Sequence, residues 1–323
     1  MSVATIPQTP YLKPWWRITR EAARMTFHYG DDAILCEGKA AAVLPRVLPL
    51  LDGHHTVDDI VAELGPNTRG FVDNVLAMFA GKGMIIEGPP VADDVPVDQR
   101  NALHFVAATQ PWPTSLSDDG AKLGTLRVGI AGNSDTAAEI ARVLRRIGTA
   151  AETIGWNAPG EQLERVDVVI VAPSAAELPE LTAWNAHALA ARATWLQVLP
   201  FDGRFAAIGP LYIAGETGCY ECFQHRRAAN IPYSDQYWAM QSTPAPYPSA
   251  LPVDVTLAGL VSLFLLRWQL RADANLPGAF HALEINGEVA ITSHVVYRVP
   301  RCKACSTVEQ VAPVLPWFEE SGT

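Results

Sequence analysis

The chain has 323 residues, 49% of them hydrophobic and only 18% charged, so two domains, each with a sizeable core, are expected. The net charge of −10 argues against a nucleic-acid binder, because phosphate contacts need clustered Lys and Arg. It is compatible with a basic or neutral peptide partner.

The opening residues, MSVATIPQTPYLKPWW, lack the basic start and apolar run of a secretory signal. The longest strongly apolar stretch, 257–266, is too short to span a bilayer and reads as a buried helix. The expected location is the cytoplasm, away from any membrane. Thiols stay reduced there, and paired cysteines point to metal before disulfide.

Residues 16–19, 24–29 and 33–36 read as short strands separated by turns, with Asp31-Asp32 at a hairpin. Val43, Leu44, Val47, Leu48 and Leu51 recur at helical spacing, and Asp52-Gly53 ends that helix. Thr56 is a good N-cap for a second helix carrying Val57, Ile60, Val61 and Leu64, with Asp58 and Asp59 in its first turn. Gly65-Pro66 stops it. A third helix runs over 69–82, and 84–87 forms a short final strand.

That third helix carries two apolar stripes, Phe71, Val75 and Met78 beside Val72, Leu76 and Phe79. A surface helix needs one apolar face for its core, so the second is free to bind; the alternative, that both stripes are core, stays open. Its only bases are Arg69 and Lys82, which argues against a DNA-reading helix. A three-stranded meander followed by three helices, with the segments LPLLDGHHTVDDIVAELG and FVDNVLAMFAGKGMIIEG, resembles the PqqD-like winged-helix domain that recognises precursor leader peptides. The resemblance implies a leader added as a strand beside Ile34, Leu35 and Cys36 and gripped by Phe71, Val75, Met78 and Phe79.

Prolines and glycines punctuate 88–124, which reads as a linker, with 1–90 as the first domain and 125–323 as the second. From 126 the pattern is α/β: strands at 126–131, 151–154, 166–171 and 195–199, and helices over 136–147 and 175–192. A largely parallel sheet of Rossmann type follows. The first strand-to-helix turn is GIAGNSDTAAE. Nucleotide sites place several glycines there so that N–H groups reach phosphates. Here Asn133, Ser134 and Asp135 stand where further glycines belong. Asp135 is the expected N-cap of the next helix, and its carboxylate is expected to fill the same N–H groups. No acid follows 151–154 to hold a ribose; Gly155 and Trp156 do. Ala172-Pro173-Ser174 follows 166–171, where ThiF-like adenylating enzymes carry a magnesium-binding aspartate. The fold is therefore expected without ATP binding.

Cys219 and Cys222, with Cys302 and Cys305, form two C-x-x-C pairs about eighty residues apart. Four thiolates from two tight turns suit a closed, structural zinc site; two local disulfides or a redox motif are the alternatives. His225 is a spare ligand that four cysteines do not need. Cys36, alone on an apolar strand, reads as a small core residue. The flanks PFDGRFAAIGPLYIAGETGCYECFQHRRAAN, with a turn at Gly209-Pro210, LAGLVSLFLLRWQL, the 285–288 hairpin turn and VVYRVPRCKACS resemble the ThiF-like partner proteins of YcaO cyclodehydratases. The resemblance covers nearly the whole chain. It implies a non-catalytic protein: a leader-recognition domain fused to a nucleotide-free ThiF-like domain, delivering a precursor to a separate YcaO enzyme for azoline formation, as in thiopeptide biosynthesis. A homodimer is a further expected partner. The rivals are an active ThiF-like adenylating enzyme and a zinc oxidoreductase; the latter needs an intact dinucleotide turn and an open zinc position. The tail APVLPWFEE, with Pro313, Pro316 and Trp317, is expected to pack on its own domain.

Overall fold

A computed structural model describes residues 5–21, 24–109, 115–244 and 248–306. The chain divides into two compact units. The first takes the chain up to Leu126 together with Leu144–Ala150 and Gln269–Ala272; the second takes Arg127–Val143, Ala151–Trp268 and everything from Asp273 onward.

In the first unit, β1 (Pro10–Leu12) precedes a meander of β2 (Arg17–Glu21), β3 (Arg24–Tyr29) and β4 (Asp32–Glu37). The meander is antiparallel, with Ile18 opposite Phe27 and Thr26 opposite Leu35. Alternation along β3 turns Met25 and Phe27 into the core and leaves Arg24 and His28 outside. Three helices follow: α1 (Lys39–Val47), α2 (Val57–Leu64) and α3 (Arg69–Gly81). Thr56 caps α2 as its spacing predicts, and Asp59 returns a bond to the Thr56 N–H to complete a capping box. Then β5 (Ile85–Glu87) pairs antiparallel with β1, Tyr11 opposite Ile86. The stretch read as a linker is not irregular. It holds α4 (Val97–Ala108) and α5 (Leu116–Thr125), which bury Leu103, Val106, Leu116 and Leu123. Pro96 precedes α4 as its N-cap. Pro111, Trp112 and Pro113 lie outside the described residues, as do Pro313, Pro316 and Trp317 of the tail.

The second unit is built on a seven-stranded mixed sheet. Its elements are β6 (Arg127–Ala131), α6 (Asp135–Arg146), β7 (Ala150–Thr153), α7 (Gly160–Leu163), β8 (Val168–Val171), α8 (Glu180–Ala190), β9 (Trp195–Leu199) and β10 (Phe205–Tyr212). They continue as α9 (Tyr220–Ala228), α10 (Ser234–Gln241), α11 (Leu251–Arg271), β11 (Ala279–Glu284) and β12 (Ala290–Val295). The order is β12-β11-β10-β9-β8-β6-β7. Strands β6, β8 and β9 are parallel, and β10 to β12 add on antiparallel. Strands β8 and β9 are buried along their whole length, as a sheet covered on both faces requires.

Two expectations change here. The Gly209-Pro210 turn is no turn: both residues lie inside β10, at a register shift between Ile208 and Leu211. Gly209 sits at φ 88° with the Ala279 carbonyl so close that a side chain would collide with it. The apolar stretch at 257–266 is the middle of α11, whose 21 residues are long and apolar enough to cross a bilayer by length and composition. One face, with Leu257, Ala258, Val261 and Leu265, is buried, while Leu251 and Val255 are exposed.

Candidate functional site

The two C-x-x-C pairs meet in the second unit. Cys219 is the N-cap of α9 and Cys222 lies in its first turn; Cys302 and Cys305 sit in the turn beyond β12. All four Sγ atoms lie within 4.8 Å of one another. Cys219 is 3.9 Å from Cys222 and 3.7 Å from Cys302, and Cys222 is 3.5 Å from Cys305. A tetrahedral zinc with Zn–S bonds of about 2.3 Å requires sulfurs about 3.8 Å apart, so the cluster has the dimensions of a four-thiolate shell. The Val299 N–H donates to the Cys222 sulfur at 3.3 Å. The Cys219 thiol and that N–H hold Cys222 down to about 4 against the desolvation of burial. Cys219 is pushed up by its bond to Cys222 and by burial. Thiolates packed this closely repel one another, and a divalent cation at the centre would offset that repulsion. His225 packs against Trp238 at 5.0 Å and adds nothing to the cluster.

At the turn after β6, donors and acceptors are arranged differently from the sequence reading. Ser134, not Asp135, caps α6: its hydroxyl accepts from the Ala137 N–H at 3.0 Å and donates to the Ala172 carbonyl at 2.7 Å. The N–H of Asn133 donates at 3.0 Å to the carboxylate of Glu177, which the sequence reading passed over. Glu177 also accepts from the Ser174 N–H at 2.8 Å, the Ser174 hydroxyl at 2.9 Å and the Trp156 indole N–H at 3.0 Å. Burial pushes its carboxyl up, but these donors outweigh burial and hold it below the usual range. Beside the turn is a cavity of about 130 Å³, lined by Asn133, Ser134, Asp135, Thr136, Ser174 and Asp254 among others. Asp254 is buried and accepts from Thr136 and Ser249 at 2.6 Å each. Small-molecule pockets usually run to roughly 300–1,000 Å³.

In the first unit β4 is an edge strand, paired only with β3 among the described residues. The residues expected to grip a peptide divide by burial. Cys36, Val75 and Phe79 belong to the core, with Phe79 edge-on to Phe27 at 5.3 Å, and burial raises the Cys36 thiol. Their side chains are therefore not available to a ligand; α3 buries the whole stripe of Val72, Leu76 and Phe79, and of the other stripe Val75 alone is fully buried. Ile34 and Phe71 are half-buried against the same core. Leu35, 55% exposed, and Met78, 37% exposed, are the two that present apolar surface. A cavity of about 360 Å³ opens at the start of β4, lined by Trp16, Tyr29, Ile34, Lys82 and Thr109 among others. The rings of Trp16 and Tyr29 lie 5.2 Å apart there. Elsewhere, a second-unit cavity of about 270 Å³ holds Arg227, paired with Asp202 at 3.3 Å and set over the Phe205 ring.

No protein-family model matches the chain, and no curated protein is similar to it by sequence. Solved structures are similar in fold. The heterocyclase TruD matches with a TM-score of 0.67 and 20% identity over 93% of this chain and 43% of its own. A heterocyclase in complex with substrate and cofactor matches at 0.62 and 21% over 92% and 39%. E. coli MccB with succinimide matches at 0.62 and 15% over 92% and 99%; that microcin C7 biosynthetic enzyme has also been solved with ATP and with N-formylated MccA. The chain thus spans less than half the length of the two heterocyclases and almost all of MccB. These likenesses show the fold: a mixed α/β architecture of the TruD and MccB type, carrying a four-cysteine cluster that could hold zinc.

Proposed function

We propose that this chain binds the leader peptide of a ribosomally made precursor and presents it to a separate YcaO cyclodehydratase for azoline formation, as a scaffold that does not itself adenylate. The observation that carries this reading is the open edge of β4, with exposed Leu35 on the strand and the cavity at Trp16, Tyr29 and Ile34 at its start. An extended peptide can pair with such an edge through its backbone while side chains enter the neighbouring pocket. The meander and three helices support a winged-helix recognition domain of the PqqD kind. The two heterocyclases of the same fold, one solved with substrate, support a place in azoline chemistry. The four cysteines would hold a structural zinc, tying the segment after β12 to α9. Carboxylates at the β6–α6 turn support a ThiF-like domain without ATP.

A fluorescence-anisotropy titration of the labelled leader against the full chain tests the reading. Saturable binding at micromolar concentration or tighter is expected. Leu35→Pro removes one N–H from the strand edge and Met78→Glu places a charge on the exposed side of α3; each is expected to weaken binding about tenfold or more. A folded, zinc-loaded chain that ignores the leader overturns the reading. Pyrophosphate release from ATP on adding precursor would replace it with the adenylating rival.

A further inference from the structure

Strand β12 ends the seven-stranded sheet, and its outer edge has no partner among the described residues. In an antiparallel pair, residues that bond across the ladder alternate with residues whose N–H and C=O groups point away from it. The Val296 N–H donates to the Gly278 carbonyl at 2.8 Å, continuing the β11–β12 register, so the even-numbered residues of β12 bond to β11. Ile291, Ser293 and Val295 therefore turn their backbone groups outward. Ile291 and Val295 also share one side of the strand, a stripe continued by Val289 and Tyr297 just beyond its ends; the four are 47–69% exposed. Sheet edges are ordinarily protected by charged side chains, prolines or bulges. Residues 289–297, VAITSHVVY, hold no Lys, Arg, Asp, Glu or Pro, and the β11–β12 register is unbroken. Such an edge invites another strand.

The sequence says which strand fits. It is close to a palindrome about Ser293: Val289 mirrors Tyr297, Ile291 mirrors Val295, and Glu288 mirrors Arg298. We propose that the β12 edge pairs with the same edge of a second copy of this chain, antiparallel about a two-fold axis at Ser293, joining the two sheets. A two-fold interface must be self-complementary, and this one is. Ile291 of one copy lies opposite Val295 of the other, Ser293 meets Ser293, and the Glu288 carboxylate at one end approaches the Arg298 guanidinium at the other. Outward-bonding residues meet outward-bonding residues throughout. The neighbouring registers that keep this parity set Ile291 against Ser293 or Tyr297 and part Glu288 from Arg298. The proposal goes beyond the reading of the chain as a peptide scaffold and does not rest on it.

The experiment is sedimentation equilibrium of full-length, zinc-loaded protein up to about 0.1 mM, with folding of each variant checked by circular dichroism. One strand pair is a small interface, so the wild-type chain is expected to dimerise in the micromolar range. Ile291→Lys with Val295→Lys sets like charges opposite each other across the axis and is expected to weaken association at least about tenfold. Ile291→Lys with Val295→Glu sets opposite charges there and is expected to dimerise close to wild type. Should either variant fail to fold, Ser293→Pro takes its place. It removes an outward N–H and none that bonds β11, and it too is expected to weaken association at least about tenfold. A wild-type chain that stays monomeric overturns the proposal. So does equal association of the two double variants, whether both dimerise or neither does, or a Ser293→Pro chain that dimerises as wild type. No leader peptide enters these measurements, so their failure is distinct from failure of leader recognition.

Discussion

Cys36 and Cys222 are both buried, yet the structure gives them different work. Cys222 has sulfurs of Cys219 and Cys305 as neighbours; Cys36 lies among apolar side chains of the first-unit core. Replacing Cys222 with serine removes one member of a closed thiolate shell, and the oxygen left behind is a poor substitute at zinc distance. Zinc measured by atomic emission is expected in the wild-type chain and lost from Cys222→Ser, with the melting temperature lower by about 10 °C or more and the segment after β12 open to protease. Cys36→Ser is expected to keep its zinc and to lose about 1–3 kcal/mol for a buried hydroxyl. A Cys222→Ser chain that holds zinc as tightly as wild type would remove the cluster from consideration as a metal site.

At the scale of elements, α5 and the end of α11 share one buried ion pair. The Arg271 guanidinium meets the Asp119 carboxylate through two nitrogens, with side chains 6% and 3% exposed. Lys13 is buried in the same unit; desolvation, and then the Arg271 charge, lower it to about 8. Asp119→Ala removes this carboxylate from beside a buried guanidinium that already repels Lys13. It is expected to cost about 3–5 kcal/mol in denaturant unfolding, whereas a surface pair such as Arg24–Glu37 is expected to cost under about 1 kcal/mol. A loss under 1 kcal/mol for Asp119→Ala would show that the pair is well hydrated in solution. None of this was legible in the sequence, because Asp119 lies in a stretch whose flanking prolines masked α4 and α5. Periodicity found α1, α2, α3 and α6 because each carries a local apolar pattern. That Val75 is buried while Met78, one turn on in the same stripe, is exposed depends on what packs against α3, and no pattern within the helix records that. Cysteine spacing announced the cluster but not that Cys219 would sit by Cys302 and Cys222 by Cys305. The Ser174-x-x-Glu177 spacing of a capping box was readable. Its reach to Asn133 and Trp156 follows from the strand order β8-β6-β7, which sets three loops side by side.

For the whole molecule, the proposed scaffold role makes a kinetic demand that a catalyst would not. If the chain holds the leader and docks the cyclodehydratase, it raises the local concentration of core peptide at a site in another polypeptide, and the gain is set by tethering geometry. Azoline formation by the partner enzyme, followed by the mass loss of dehydration, should then depend on this chain only for substrates that carry a leader. At substrate concentrations well below the enzyme's own KM, adding the chain is expected to raise turnover by about 10²-fold or more. At saturating substrate the advantage should shrink, because tethering supplies concentration and leaves the chemical step alone. A leaderless core peptide should show no response at any concentration. Leu35→Pro should lower the leader-bearing substrate toward that leaderless rate, while free leader added in excess should inhibit by competing for the strand edge. Equal stimulation of leader-bearing and leaderless substrates would point instead to direct activation of the enzyme by docking, and β4 would then have no part in delivery.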